Sequence, residues 1–573
     1  MTDTRQARSR TWLGDAGKNG FIARHHLRAM GLTSRQLTGK PVIGIANSWS
    51  ELTPCNAHLR QLAEAVRRGV VAAGGVALEF PIMSLGEPFM RPSTMAYRNL
   101  MAMETEELIR ANPLDAVVLL TGCDKTTPAA LMGAASVDLP AIMLTGGPML
   151  NGKFQGRDVG SGTDIWRMTE GLRGGVVTQS EFLEFEQCLN RSAGHCMTMG
   201  TASTMACLVE TLGMQLPGAA ALPAVDSRRA ALAEETGERA VALAVAGLRP
   251  SHILTPAAFA NAIKVNAAIG GSTNAVLHLL AIAGRVGVPL TLDDFDTLAR
   301  DIPLLVDLMP SGRFLMEEFA YAGGVPALLA ELADVLDLTT TTVTGQPLGD
   351  GCADVRSHDR EVIRTPDKPV LPPGAGIAVL RGNLAPSGAV LKVAAADPRL
   401  LRHTGPALVF DSIEEYLAVV DTDLPVTPDT VLVVRGAGPR GYPGMPEVGN
   451  LPLPKTMLTA GVLDMVRISD ARMSGTAYGT CVLHVAPEAA VGGPLALVRT
   501  GDLIQLDVPA RRLELLVPDQ ELVARRHAWQ SPPPPTGRGW LRLYVDHVQQ
   551  ADTGADLDFL VGGSGDEPGR APF

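Results

Sequence analysis

Long apolar runs are missing from this chain. No stretch of about 18 apolar residues occurs, so a membrane-spanning helix is excluded, and the opening MTDTRQARSRTWLGDAGKNG lacks the apolar core of a signal peptide. A basic stripe is missing too. Lys and Arg number 49 against 60 Asp and Glu, a net charge of −11, which argues against a nucleic-acid partner. Cysteine is sparse: Cys55, Cys123, Cys188, Cys196, Cys207, Cys352 and Cys481 are odd in number and widely scattered. That excludes a disulfide framework and leaves thiols available as ligands. The expected location is cytoplasmic.

What remains is a globular composition, 46% hydrophobic and 19% charged, in 573 residues. A chain this long exceeds what one core serves, so two or more domains are expected. From about 40 to 150 one grammar repeats, a short β-rich run followed by a loop and a helical stretch. PVIGIAN (41–47), VALEFPIMS (76–84), LDAVVLLTG (114–122) and LPAIMLTGG (139–147) read as buried strands of a parallel sheet. AHLRQLAEAVRRGVVAAGG (57–75) between them is apolar at helical spacing. The expected fold class is therefore α/β, with a layered parallel-sheet domain over 1–374 whose middle, about 165–345, is mostly helical. From 375 to 573 short Val/Leu runs alternate with turns, as in GDLIQLDVPARRLELLVPD, and predict a β-rich, barrel-like second domain. SPPPPTGRG (531–539) reads as a stiff connector.

The chemistry-bearing residues gather at loops. Cys123, Asp124 and Lys125 follow the run AVVLL, which puts them at a strand's carboxyl end, where open α/β sheets bind ligands. Thr127 and Pro128 read as the N-cap and first residue of the next helix. Thr53 and Pro54 repeat that signal, with Cys55 expected in the first turn, and the small-residue loop before Cys196 delivers it to another helix start. The three thiols are too far apart for a compact zinc finger. By composition each is either a ligand or a small buried hydrophobe, and Cys188, Cys207, Cys352 and Cys481 are read as the latter. Glu87, Asp124 and Glu447, in or beside glycine-rich loops, would make the hard oxygen site magnesium prefers. Ser474, in DARMSGTAYGT, looks by itself like an ordinary turn. GGSTNAVLHLL (270–280) fits neither a P-loop nor a dinucleotide fingerprint.

Taken together, TPCNAH, GCDKTTPA, GHCMTMGTASTM, GGSTNAVLHL, GNLAPSGAVLK, PGMPEVGN and HVAPEAAVGGPLALVRTGDLI resemble, in order across nearly the whole chain, the dihydroxy-acid and sugar-acid dehydratase family. The resemblance implies that Cys55, Cys123 and Cys196 hold an iron–sulfur cluster, [2Fe–2S] in the better-matching branch and [4Fe–4S] otherwise, with one iron left open. It also implies that Glu87, Asp124, Glu447 and a carbamylated Lys125 surround Mg²⁺, with Ser474 as the base. DARMSGTAYGT carries Thr476 and Ala477 where the branched-chain amino-acid enzymes show a second glycine and threonine. In this it resembles the sugar-acid branch, as do NGFIARHHLRAMGL, GGPMLNGKFQGRDVGSGTD and LYVDHVQQADTGADLDFL. The activity implied is dehydration of a pentonate or hexonate, such as L-arabinonate, D-xylonate or D-galactonate, to a 2-keto-3-deoxy acid, by a homodimer or homotetramer. The rival readings are a dihydroxy-acid dehydratase of branched-chain amino-acid synthesis and, from another class, an iron–sulfur sensor without turnover.

Overall fold

The computed structural model describes residues 7–570; the first six residues of the N-terminal stretch read above lie outside it. β1 (Val42–Asn47), β2 (Val76–Pro81), β3 (Ala116–Thr121) and β4 (Ala141–Thr145) form a parallel sheet in the order β2-β1-β3-β4. Every residue of β1, β3 and β4 is buried, because helices cover both faces. That is why these strands read as continuous Val/Ile/Leu runs rather than alternating ones. Each such side chain contributes about 1.5–3 kcal/mol by leaving water.

Of the covering helices, α1 (Leu59–Ala72) packs with α4 (Ser227–Ala246), and α2 (Met95–Ala111) packs against α3 (Thr126–Val137), which also meets α5 (Asn274–Arg285). α3 is buried on every side, as a helix apolar all round must be. The region from Thr163 to Glu331 is helical apart from its connections, as expected.

The strand order contains a switch point. The chain leaves β1 toward β2 and then crosses back to place β3 on the other side of β1. The loops after β1 and β3 therefore open side by side, forming the crevice that the sheet offers to ligands. They touch closely: a Cβ at Gly122 would lie 2.4 Å from Asn56 Oδ1 and 2.9 Å from the Cys55 carbonyl oxygen. Only glycine fits there.

Eight further strands, β5 (Ile377–Leu380), β6 (Gly388–Lys392), β7 (Arg402–Phe410), β8 (Val431–Val434), β9 (Arg467–Ser469), β10 (Cys481–Ala486), β11 (Leu503–Asp507) and β12 (Arg512–Leu515), form a mixed sheet in the order β12-β11-β7-β8-β9-β10-β6-β5. Its two edges approach through the pairing of Arg381 with Arg512, so the sheet nearly closes into a barrel. Among the described residues the last strand ends at Leu515. Beyond it come helices Asp519–Ala528 and Gly539–His547, joined by the proline-rich connector, so the end of the expected β-rich region is helical. One face of β5, β6 and β10 joins the main core through Ile377, Val379, Val390, Cys481 and Leu483, while the other encloses a separate core. The loops after β8 and β9 are thereby held against the first sheet's crevice.

Candidate active site

Two expected helix starts differ from the sequence reading. α3 begins at Thr126 with Lys125 as its N-cap and no side-chain cap. Thr127 and Pro128 sit inside the first turn, because the Thr127 hydroxyl pairs with Thr121 at 3.0 Å and a proline's missing N–H costs nothing among a helix's first donors. Thr53 precedes only a single 3₁₀ turn, Pro54–Asn56, and α1 starts later, at Leu59. Cys55 thus lies on a tight turn rather than at an α-helix N-terminus. Cys196 lies in the loop before the helix Thr201–Thr211, with its carbonyl accepting from Ser203 Oγ at 3.1 Å.

The structure nonetheless brings the expected thiols, acids and lysine together. Asn56 ties the loops after β1 and β3, accepting from the Cys123 N–H at 2.9 Å while its amide donates to the Ser48 carbonyl at 3.0 Å. Cys55 bears on the ionisation of both Cys123 and Cys196. All seven cysteines are free. Cys207, Cys352 and Cys481 belong to the main core and Cys188 packs beside a small Phe cluster, as their reading as hydrophobes requires. Burial, with Cys55 beside it, pushes the Cys196 thiol up to about 12. The Cys123 thiol is also raised, by Cys55 first and then by burial. Thiols that resist ionisation singly and oppose one another's charge fit a centre whose own positive charge makes them thiolates.

Asp124 links this group to the next, with one carboxylate oxygen 3.4 Å from Cys123 Sγ. Glu87, Asp124 and Glu447 converge with their ligand atoms within 4.8 Å of one another. The fully buried Lys125 ammonium sits among them, 2.8 Å from Asp124, 3.0 Å from Glu447 and 3.1 Å from Glu87. Burial and Arg472 disfavour its charge, but the three carboxylates raise it above the ordinary lysine range. Burial alone would raise Glu447; Lys125 and Arg472 outweigh it and hold that carboxyl at about 2. Glu87, on the loop after β2, is raised chiefly by burial, and Thr94 Oγ1 donates to it. Three carboxylates focused on one point fit a hard divalent cation.

Ser474 lies on the loop between β9 and β10. A Cβ at Gly475 would fall 2.6 Å from the Thr201 amide nitrogen and 2.8 Å from Ser272 Oγ, so this loop is pressed onto the start of the helix Thr201–Thr211. Thr163 Oγ1 donates to the Thr476 carbonyl at 2.8 Å. Two residues that the sequence reading did not single out complete the site. Arg472 Nη1 donates to Glu447 at 2.8 Å and Asn274 Nδ2 donates to it at 3.0 Å. Both stood inside quoted motifs, but nothing in their spacing distinguishes them from ordinary polar residues.

A parallel sheet whose switch-point crevice gathers buried thiols beside three carboxylates has the build of an enzyme site. Family models agree: the dihydroxy-acid/6-phosphogluconate dehydratase N-terminal model matches residues 40–351 and its C-terminal counterpart residues 361–555. The chain belongs to the dihydroxy-acid/6-phosphogluconate dehydratase family. It is 56% identical over 574 residues to L-arabonate dehydratase of Azospirillum brasilense, covering 98% of each chain. It is 51% identical over 562 residues to 6-deoxy-6-sulfo-D-gluconate dehydratase of Pseudomonas putida, covering 97% of each. A dihydroxy-acid dehydratase of Moorella thermoacetica is more distant, 42% identical over 558 residues, covering 95% of this chain and all of its own. Among the described residues no helix is long and apolar enough to cross a membrane.

Proposed function

We propose that this chain is a hydro-lyase that converts a sugar acid, a pentonate or hexonate, to its 2-keto-3-deoxy acid. The observation that carries the reading is the convergence of Glu87, Asp124 and Glu447 around one point directly beside Cys123. The choice of a sugar acid is supported by the higher identity to the L-arabonate and 6-deoxy-6-sulfo-D-gluconate dehydratases than to the dihydroxy-acid dehydratase.

Cys55, Cys123 and Cys196 would hold an iron–sulfur cluster, and Glu87, Asp124 and Glu447 would hold Mg²⁺. Bound there, these groups supply Lewis acidity toward the leaving hydroxyl and the carboxylate end of the substrate. The protein's own part is proton transfer and positioning. Ser474, as its alkoxide, takes the proton from C2; as the C2–H bond breaks, its electron pair forms the C2–C3 double bond and the C3–O bond breaks, and the proton passed on from Ser474 to the departing hydroxide makes it water and restores the alkoxide. The resulting enol tautomerises to the keto acid, with no net oxidation. Lys125 as an ammonium holds the cation's place. Adding CO₂ to its neutral amine, with release of a proton, turns it into a carbamate, a further oxygen ligand. We read the chain as dividing near residue 374, the first part supplying the thiols, Glu87, Asp124 and Lys125, the second Glu447 and Ser474.

The test is incubation of anaerobically purified, iron- and Mg²⁺-loaded protein with a panel of aldonates and 2,3-dihydroxyisovalerate. A 2-keto acid formed faster from an aldonate is expected. Preference for dihydroxyisovalerate favours the branched-chain reading, and no keto acid from any substrate overturns the proposal.

A further inference from the structure

Glu447 is held by an unusual set of donors, all on one oxygen. Oε1 accepts from Lys125 Nζ at 3.0 Å, Asn274 Nδ2 at 3.0 Å and Arg472 Nη1 at 2.8 Å. Among the described residues no hydrogen bond reaches Oε2. The two lasting donors are themselves fixed. Arg472 is fully buried; its Nε donates to the Met445 carbonyl at 2.7 Å and its Nη2 to Ser93 Oγ at 3.2 Å. The guanidinium therefore spans the loop that carries Glu447 and the Ser93–Thr94 segment, whose threonine donates to Glu87. Asn274, equally buried, donates also to Thr201 Oγ1 at 2.9 Å and the Met473 carbonyl at 3.2 Å. Ser93 Oγ in turn donates to the Gly444 carbonyl at 3.1 Å, which closes a ring of bonds around the guanidinium.

We propose that Arg472 and Asn274 are positioning residues for the divalent cation: by bonding Glu447 through Oε1 they fix its carboxylate in the place where it converges with Glu87 and Asp124. This rests on reading Glu447 as a cation ligand. Arg472 is sealed behind Ser93 and Met445, so it meets the cation through Glu447 and not the substrate directly. Its rigid planar fork matters, because it holds donors on three separate nitrogens in fixed directions, toward Met445, Ser93 and Glu447, which the single ammonium nitrogen of a lysine cannot reproduce.

The sign of the expected effect separates positioning from charge. A cation beside a metal site repels the metal, so if Arg472 supplied charge alone, its removal would tighten Mg²⁺ binding. If it places the carboxylate, removal weakens binding, by about 10–100-fold for an outer partner of a ligand.

The experiment titrates the full-length purified chain, in bicarbonate buffer, with Mg²⁺ by calorimetry and with Mn²⁺ by the loss of its free-ion paramagnetic signal. Arg472→Met is expected to weaken both metals by about 10–100-fold, and Arg472→Lys to restore little. Asn274→Ala and Ser93→Ala should each weaken binding less, and they read the same device if Arg472→Met fails to fold. Unchanged or tighter binding in folded Arg472→Met, or, if it does not fold, in both milder variants, overturns the proposal. Glu447→Gln distinguishes the underlying reading: if that variant binds Mg²⁺ normally, Glu447 is not a ligand and the cation site itself is wrong.

Discussion

The hydroxyl of Ser474 lies 2.9 Å from that of Thr476, and the Thr476 hydroxyl lies 3.3 Å from the indole nitrogen of Trp166. An indole N–H can only donate. Thr476 therefore receives a hydrogen bond from Trp166 and has its own proton to give to Ser474, beside a weaker approach of its backbone N–H at 3.4 Å. Both donors favour the alkoxide over the neutral hydroxyl.

Removing that donor should make Ser474 harder to ionise. For Thr476→Val, which keeps the shape, kcat is expected to fall by about 10–100-fold, and the acidic limb of its pH profile to move up by about one to two pH units, the worth of a hydrogen bond to a charged group. Thr476→Ser should restore most of both. A raised KM with an unmoved profile would assign Thr476 to substrate binding instead.

The cysteine readings divide cleanly. Replacing Cys55, Cys123 or Cys196 by serine should abolish iron–sulfide absorbance and turnover in reconstituted protein, whereas Cys188→Ser should leave both intact. Retention of absorbance and turnover in any of the first three would remove that residue from the ligand set. An iron left open to substrate is also open to oxygen, so activity of the loaded enzyme should decay in air and persist under argon.

Much of this was legible in the sequence. The four parallel strands announced themselves because strands buried on both faces cannot alternate, and the thiol and acid at 123 and 124 were placed correctly by the run before them. The start of α3 was misread because proline is tolerated throughout a first turn, so Thr127–Pro128 marks a helix start only to within a residue or two. Arg472 and Asn274 could not be ranked, since their target, Glu447, approaches Asn274 only when the second sheet docks on the first. The terminal helices were missed because the last Val/Leu run continues through Leu516 and Val517 almost to the first of them: the strand ends at Leu515 and a helix begins at Asp519.

Lys392 gives a pH test of stability. It is buried, its Nζ has no hydrogen-bond partner among the described residues, and burial pushes it from 10.5 down to about 7. Between those values the unfolded chain binds more protons than the folded one, so this residue makes stability rise with pH; below about 7 both forms are charged and the burial cost is felt in full. Lys392→Met should raise Tm at pH 6 and flatten its rise toward alkaline pH, with a ceiling of about 5 kcal/mol. An unchanged pH slope would show that the amine finds a partner.

Arg285 locks the C-terminal segment to the helices. It reaches Asp556 at 2.7 and 3.1 Å and Glu106 and Ser136 at 3.0 Å each, all within the interior. Arg285→Met strands two buried carboxylates and should cost about 3–5 kcal/mol in denaturant unfolding. The double change with Asp556→Leu should cost less than the sum of the single changes. Additive losses would mean the pair is not coupled.

The central claim is removal of a C2 proton and loss of the C3 hydroxyl without oxidation, and it is tested most directly by analysing the product formed in D₂O. Loaded enzyme given a pentonate or hexonate that it turns over should yield a 2-keto-3-deoxy acid carrying solvent deuterium at C3, with no electron acceptor consumed. A product oxidised relative to its substrate, or a keto acid with no solvent hydrogen at C3, would contradict the account.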